Sequence, residues 1–316
     1  MATYEIIKGL SHDKWLSQRS QGIGSSEVGT LMGVNPYESP YQLWLRKTGR
    51  DNTPKAETFA MTAGHYLEDA VSRFYSDKTG NRIIKSSAGD WLAVDKKRPY
   101  LRVSPDRTFW LAGMPQQKQF KGIVECKTTQ RKIEQDNIPL YWYCQLQYQM
   151  GVMQLSHGAL AWLTAGREFG HQDYELNTDF YNEMTARIEE FWCKNVKENI
   201  EPDITTAEDV CAKYMHSSLG KVVIANNEIC TVVNELKGIK TELTTLKLQQ
   251  TELENQIKMA MQDGESLLDQ YGTVLCTWKT AKDSTKFDEK AFQKEHPEEY
   301  EKFLQTKQGS RRFLLK

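Results

Sequence analysis

The chain has 316 residues, of which 39% are hydrophobic and 10% aromatic, enough for one large or two ordinary domains and too many for wholesale disorder. Its 41 basic and 42 acidic residues give a net charge of −1, so any binding of a polyanion requires local positive charge or bound metal ions. No apolar run approaches the roughly 18 residues of a membrane span, and the N-terminus has no apolar signal region. We therefore expect a cytoplasmic protein with no membrane contact.

The six cysteines include no pair at the Cys-x-x-Cys spacing of structural zinc or iron–sulfur sites. In a reducing compartment such cysteines are expected to be free and mostly buried thiols. A structural zinc site or an iron–sulfur cluster is therefore not predicted.

Residues 1–205 show the pattern of a mixed α/β domain. A short helix is expected at Ser25-Ser26, where either serine can act as the N-cap. The clearest helix spans Phe59 to Lys78, with an apolar stripe at steps of three and four and Gly80 at its end. The other predicted helices are Pro40 to Thr48, about Leu140 to Met153, and Asp179 to Lys197, and the predicted strands are Arg82 to Lys85, Leu101 to Ser104, Thr108 to Ala112, Gly122 to Lys127 and Ala159 to Thr164. This order suggests a mixed sheet flanked by helices.

Residues 206–316 form a C-terminal extension that begins in a weakly patterned stretch. A heptad pattern then predicts a helix over about 227–262, with apolar residues at alternating steps of three and four. The seam consists of Ile229, Val232, Leu236, Ile239, Leu243, Leu246, Gln250, Leu253, Ile257 and Ala260. This face is expected either to pack on its own chain or in an antiparallel pair, or to form an intermolecular coiled coil that recruits a partner or another copy of the chain.

The remainder of the extension is expected to be a small α+β region. A hairpin is predicted over Ser266–Asp269 and Thr273–Lys279, because Gly272 lies at the turn. A charged helix follows over Asp288–Gln305, interrupted near His296-Pro297, and Ser310–Leu315 is predicted to form a strand.

Asp106, Glu125 and Lys127 are the strongest candidates for chemistry. Strand alternation places Glu125 and Lys127 on one face and Cys126 on the other, and charged side chains are costly to bury unpaired. Two carboxylates and the Cys126 backbone carbonyl provide the oxygen ligands that Mg²⁺ or Mn²⁺ prefers. A neighbouring lysine can orient or deprotonate an attacking water, which is the pattern of metal-assisted phosphodiester hydrolysis. The alternative is a surface ion pair on an edge strand.

Two helices carry further polar candidates. Glu68 lies beside the apolar stripe of the Phe59–Lys78 helix and is placed either facing the sheet or in solvent. Gln145 and Gln149 are four residues apart on one helix face, where their amides suit a water or a phosphate. The alternative for both glutamines is the polar face of an amphipathic helix.

Five ordered motifs between about Lys14 and Lys197 resemble the YqaJ-like, phage-type exonucleases of the PD-(D/E)XK nuclease superfamily, of which bacteriophage lambda exonuclease is the familiar member. The motifs are Arg19 with Gly22-Ile23-Gly24-Ser25-Ser26-Glu27-Val28, Gly64-His65-Tyr66-Leu67-Glu68, Ser104-Pro105-Asp106, Val124-Glu125-Cys126-Lys127 and Gln145-Leu146-Gln147-Tyr148. The resemblance implies a restriction-endonuclease-like mixed β-sheet flanked by helices. The C-terminal extension is absent from the smallest members of that family.

The resemblance also implies roles for individual residues. Asp106, Glu125, Glu68 and the Cys126 carbonyl would hold Mg²⁺, with Mn²⁺ as a substitute. Lys127 would position the nucleophilic water with support from Gln145. Arg19, Ser26 and Ser25 would bind a 5′-phosphate, in agreement with the affinity of helix N-termini for anions and of arginine for phosphate.

The implied function is Mg²⁺-dependent resection of linear duplex DNA from the 5′ end, which leaves a 3′ single strand for a phage-type annealing protein. The partners implied are DNA ends, a single-strand annealing protein and further copies of the chain, as a trimer. One alternative is an endonuclease, or a nuclease of CRISPR adaptation or of helicase complexes, on the same fold. Another is a non-catalytic DNA scaffold organised by the coiled coil.

Overall fold

The computed structural model describes residues 3–51, 53, 58–84, 90–134, 136–305, 309 and 311–316. Its contacts divide the chain into two units, Met1–Lys213 and Tyr214–Lys316. None of the helices in the described ranges is both long and apolar enough to cross a membrane. The domain limits at 1–205 and 206–316 stay a prediction.

The first unit alternates helices and strands. In chain order its elements are β1 (Tyr4–Leu10), α1 (His12–Ser20), a 3₁₀ turn (Ser25–Glu27), α2 (Val28–Leu31), α3 (Pro40–Lys47), α4 (Phe59–Thr79), β2 (Arg82–Ile84), β3 (Asp90–Asp95), β4 (Arg102–Val103), β5 (Arg107–Trp110), a second 3₁₀ turn (Lys118–Phe120), β6 (Lys121–Thr129), α5 (Leu140–Met153), β7 (His157–Thr164), β8 (Glu168–Glu175), α6 (Thr178–Glu190), a π-helical segment (Phe191–Lys197) and α7 (Ala207–Lys213).

The central sheet is mixed, as predicted. Within the described residues it has the strand order β2-β5-β6-β7-β8, and a smaller sheet has the order β1-β3-β4. Strands β6 and β7 are parallel, with Glu125 opposite Leu160, while β5 and β6 are antiparallel, with Arg107 opposite Val124. The α/β fold with a mixed sheet between helices is therefore confirmed.

Alternating side chains of β6 and β7 separate two hydrophobic cores. Ile123 and Leu160 belong to the larger core, which includes most of α5. Val124 and Ala159 belong to the smaller core, which includes Val71 of α4. Glu125 is thus directed into the layer between the sheet and α5, where it is 2% exposed. The period of two along β6 determines which side of the sheet carries the candidate site.

Several elements were not predicted from the sequence, namely α1, α7, the smaller sheet's β1 and β3, and β8. Strand β8 pairs with β7 along one side and has polar residues at many positions, so it lacks the apolar signal of a buried strand. The prediction that Ser25 or Ser26 caps the short helix was wrong. Gly24 is the N-cap, and its amide donates to the Glu27 carboxylate at 2.8 Å. Lys85, the predicted end of β2, lies outside the described residues.

The second unit contains α8 (Asn227–Met261), β9 (Ser266–Leu268), β10 (Val274–Thr277), α9 (Glu289–Glu295) and α10 (Pro297–Lys302). The long helix, the antiparallel hairpin and the helix break at His296-Pro297 are as predicted. Ser310, the predicted start of the last strand, lies outside the described residues, and residues 311–316 form neither a helix nor a strand.

The cysteines are free, as predicted, but the expectation that most are buried was wrong. Cys144 in α5 is buried, whereas Cys211 and Cys230 are exposed. Cys126, Cys193 and Cys276 have intermediate exposure. The two exposed thiols lie on helices with a large exposed surface, which sequence spacing alone does not reveal.

Replacing Gly151 by alanine is expected to destabilise the first unit by about 1–3 kcal/mol, because small-to-large changes in a packed core force neighbouring groups to move. A Cβ at Gly151 in α5 would lie 2.1 Å from the Tyr181 ring of α6. The matched control is Gly64→Ala in α4, where the nearest atom is 3.6 Å away and alanine favours the helix. Urea denaturation followed by circular dichroism measures both, and equal stabilities would contradict the close contact between α5 and α6.

Candidate active site

Two carboxylates lie side by side at the junction of β5 and β6. The antiparallel register that pairs Arg107 with Val124 brings Asp106, just before β5, opposite Glu125. The Cys126 amide donates to Asp106 Oδ2 at 2.7 Å and fixes that carboxylate beside the strand. Burial and the negative charges of Glu125 and Glu68 raise the pKa of Asp106 well above its usual value.

Glu68 of α4 is near this pair, although it has its own cationic partner. The Arg107 guanidinium forms an ion pair with the Glu68 carboxylate and also donates to the Asp106 backbone carbonyl. Burial raises the pKa of Glu68, with Arg107 opposing that rise and Glu125 adding to it. The structure therefore places Glu68 on the sheet side of its helix, as one of the two sequence alternatives predicted.

Three side chains donate to the buried Glu125 carboxylate. Lys127 Nζ lies 2.6 Å and Gln145 Nε2 lies 2.5 Å from Glu125 Oε1, and Lys127 also donates to Gln145 Oε1 at 2.9 Å. Gln149 Nε2 lies 2.8 Å from Glu125 Oε2. Burial alone lowers the pKa of Lys127, but the charges of Glu125 and Asp106 outweigh it and raise that pKa. In this arrangement Lys127 is a hydrogen-bond donor to both Glu125 and Gln145.

The donor set has the chemistry of a divalent-cation site. Asp106, Glu125 and Glu68 supply negative charge whose mutual repulsion a cation would relieve, and oxygen ligands suit Mg²⁺. The buried Gln149 Oε1 has no hydrogen-bond partner among the described residues, so an acceptor is available beside Glu125. Among the same residues, no three His, Cys, Asp or Glu side chains are grouped closely enough to enclose a metal ion.

The predicted phosphate-binding residues form a second group near the first. Arg19 at the end of α1 donates to Ser26 Oγ at 2.5 Å, and its guanidinium lies 5.0 Å from the Trp15 ring centre. A Cβ at Gly24 would lie 2.9 Å from Arg19 Nε, so a larger residue there would displace the arginine side chain from its present position. Arg19 and Ser26 are thus brought together as predicted.

Gln149 connects the two groups. Its Nε2 donates to Ser25 Oγ at 3.1 Å as well as to Glu125 Oε2, and the Gln149 side chain is completely buried. Ser25 is also buried, so it holds the turn against α5 and presents little surface to a ligand. Of the predicted phosphate-binding set, Arg19 and the exposed Ser26 are the accessible members.

An ion-pair network centred on the buried Glu27 stabilises the 3₁₀ turn Ser25–Glu27. Glu27 accepts from Lys47 at 2.8 Å and from Arg46 at 2.7 Å, and Lys47 also donates to the Gly22 carbonyl. Burial opposes ionisation of Glu27, but Lys47, Arg46 and Arg19 together lower its pKa to about 2. The pKa of Lys47 is also lowered, since its burial outweighs the attraction of the one carboxylate it contacts.

Arg107, Lys47 and the bridging role of Gln149 were not predicted from the sequence. Arg107 directly follows Asp106, and Gln149 lies one helical turn after Gln145, so spacing marked both as neighbours of the site. Lys47 is 20 residues away from Glu27 along the chain, and no local pattern links the two.

The fold and this site define an α/β protein with a mixed sheet between helices and with a carboxylate pair, a lysine and a glutamine at one sheet junction. Residues 14–159 match the family model of the YqaJ-like viral recombinase domain, which confirms the resemblance predicted from the motifs.

The similarity to one curated relative extends over nearly the whole chain. The chain is 29% identical to the uncharacterized protein YqaJ of Bacillus subtilis (strain 168), over 97% of this chain and 95% of that protein. Two solved structures are more distant. The alkaline exonuclease LHK-Exo from Laribacter hongkongensis has a TM-score of 0.41 at 15% identity, covering 59% of this chain and 93% of its own. A phage-related exonuclease from Haemophilus somnus 129PT has a TM-score of 0.41 at 10% identity, covering 57% and 96%.

Proposed function

We propose that this protein is a metal-dependent DNA exonuclease that resects linear duplex DNA from the 5′ end. The single observation that carries the proposal is the placement of Asp106 opposite Glu125, with Lys127 and Gln145 on the Glu125 carboxylate. The match of residues 14–159 to the model of the YqaJ-like viral recombinase domain supports DNA as the substrate. The 3′ strand left by resection would serve a single-strand annealing protein.

The proposed cofactor is Mg²⁺, which would lower the pKa of a bound water and stabilise charge on the phosphate. Asp106, Glu125 and the Cys126 carbonyl would hold it, with Glu68 assisting. Lys127 would position the attacking water by donating a hydrogen bond, and Gln145, which accepts from Lys127, would fix the lysine's direction. These residues would thus align the nucleophile while the carboxylates neutralise the cation.

The proposed 5′ polarity depends on Arg19 and Ser26. An arginine and a hydroxyl that already touch each other match the donors needed for a terminal phosphate, and arginine can bind it through two parallel hydrogen bonds. The net charge of −1 is compatible with a protein that encloses DNA rather than binding it through a broad basic surface. A homo-oligomer, a trimer by the family resemblance, is part of the proposal.

The experiment compares linear with circular duplex DNA in Mg²⁺, using 5′-phosphate and 5′-hydroxyl ends and an Asp106→Ala control. We expect degradation of the linear 5′-phosphorylated strand only. Cleavage of circular DNA would indicate the endonuclease, and no metal-dependent cleavage would favour the scaffold.

Replacing Arg19 by alanine is expected to remove the preference for a 5′-phosphate, reducing the rate on phosphorylated ends by about 10- to 100-fold and leaving the rate on 5′-hydroxyl ends nearly unchanged. The expected loss corresponds to one charge-assisted phosphate contact of about 1.5–3 kcal/mol. Initial rates on the two substrates measure it. An equal loss on both kinds of end would show that Arg19 does not recognise the phosphate.

A further inference from the structure

The long helix α8 presents a continuous apolar seam on its surface. Seven seam side chains are between 43% and 60% exposed: Ile229, Val232, Ile239, Leu243, Leu246, Leu253 and Ile257. The helix has 35 residues, about 52 Å at 1.5 Å per residue. A face of this length and hydrophobicity is typical of an interaction surface.

The charges that flank the seam indicate which partner fits it. In heptad notation the seam residues occupy positions a and d, so Glu235 and Glu242 occupy g, and Lys240 and Lys247 occupy e. These four side chains make no ion pair with any residue that the structure describes. One edge of the seam is therefore acidic and the other basic over the same two heptads.

We propose that α8 forms a parallel, in-register coiled coil with a second copy of this chain. In parallel helices a g residue faces the e residue five positions later on the partner, which pairs Glu235 with Lys240 and Glu242 with Lys247 of the second copy. In antiparallel helices g faces g and e faces e, so that glutamates would meet glutamates and lysines would meet lysines. Charge complementarity thus favours self-association in the parallel direction.

Gln250 fixes the register of this pairing. It is the polar a position in an otherwise apolar seam, and in register it meets Gln250 of the second copy, where the two amides can hydrogen-bond. A shift by one heptad would place each Gln250 against an apolar residue and leave its amide without a partner. This inference does not depend on the proposed nuclease activity.

The test is disulfide cross-linking of the full chain at one seam position. Gln250→Cys is introduced with Cys211→Ser and Cys230→Ser, which remove the exposed native thiols. The matched control in the same background is Glu252→Cys, which lies at a c position outside the seam. We expect at least tenfold more covalent dimer from Gln250→Cys under mild oxidation, measured on non-reducing gels.

Charge reversal tests the pairing itself. Lys240→Glu with Lys247→Glu, and separately Glu235→Lys with Glu242→Lys, should each reduce cross-linking at position 250 at least tenfold. Mixing the two variants should restore it, since acidic and basic edges then meet again. Because the proposed trimer would also bring copies of the chain together, molecular mass is not the readout. Equal cross-linking at positions 250 and 252, no cross-linking at 250, or no effect of charge reversal would overturn the proposal.

Discussion

Replacing Asp106 by asparagine is expected to abolish DNA cleavage and to leave the protein at least as stable as before. Asparagine keeps the shape and an acceptor for the Cys126 amide, so the contact at 2.7 Å can persist. It removes one negative charge from the proposed cation ligands, and we expect the cleavage rate to fall at least about a thousandfold, or roughly 4 kcal/mol of barrier.

The same substitution should not lower the free energy of unfolding, although it lowers the cleavage rate, because of the electrostatics of the site. Burial, Glu125 and Glu68 raise the pKa of Asp106, so its ionised form is less favourable in the folded protein than in the unfolded chain. At neutral pH that difference disfavours folding, and asparagine removes it. We expect the free energy of unfolding to stay constant or to rise by about 1–2 kcal/mol.

Single-turnover cleavage of an end-labelled duplex and urea denaturation measure the two effects on the same preparation. Asp77→Asn, an exposed aspartate on α4, is the matched control and should change neither quantity. Full activity in the Asp106→Asn variant would refute its role as a cation ligand. Lost activity together with lost stability would show that Asp106 is instead a structural residue.

Replacing Glu27 by glutamine is expected to destabilise the first unit by about 3–5 kcal/mol. The Lys47 side chain is 2% exposed, so loss of the carboxylate leaves a buried cation without its counter-charge. The matched control is Glu38→Gln, which breaks the ion pair with the more exposed Arg46 and should cost less than about 1 kcal/mol. Urea denaturation compares the two variants.

The contribution of Glu27 to the free energy of unfolding should also decrease as the pH falls. Its folded pKa is about 2 against a usual 4.5, so its contribution to stability is complete above about pH 4.5 and is lost as the pH falls towards 2. The difference between the unchanged protein and Glu27→Gln should shrink over that window. Adding Lys47→Met to Glu27→Gln should recover much of the loss at neutral pH, and a double variant no more stable than the single one would contradict the network.

Local pattern was sufficient for much of the fold and for the centre of the candidate site. Alternation along β6 placed Glu125 and Lys127 on one face, and the stripe at steps of three and four predicted α4. Both patterns are local because the backbone geometry of a strand or helix sets which neighbours share a face. The heptads predicted α8 for the same reason.

Contacts between distant segments were decided only by the tertiary structure. The sequence could not show that Arg107 pairs with Glu68, that Gln149 joins Ser25 to Glu125, or that Asp209 of α7 accepts from Ser39 over 170 residues. The edge strand β8 escaped prediction because it pairs on one side and has few apolar positions. Such contacts depend on how whole elements pack, and the periodicity of one element carries no information about which surface covers it.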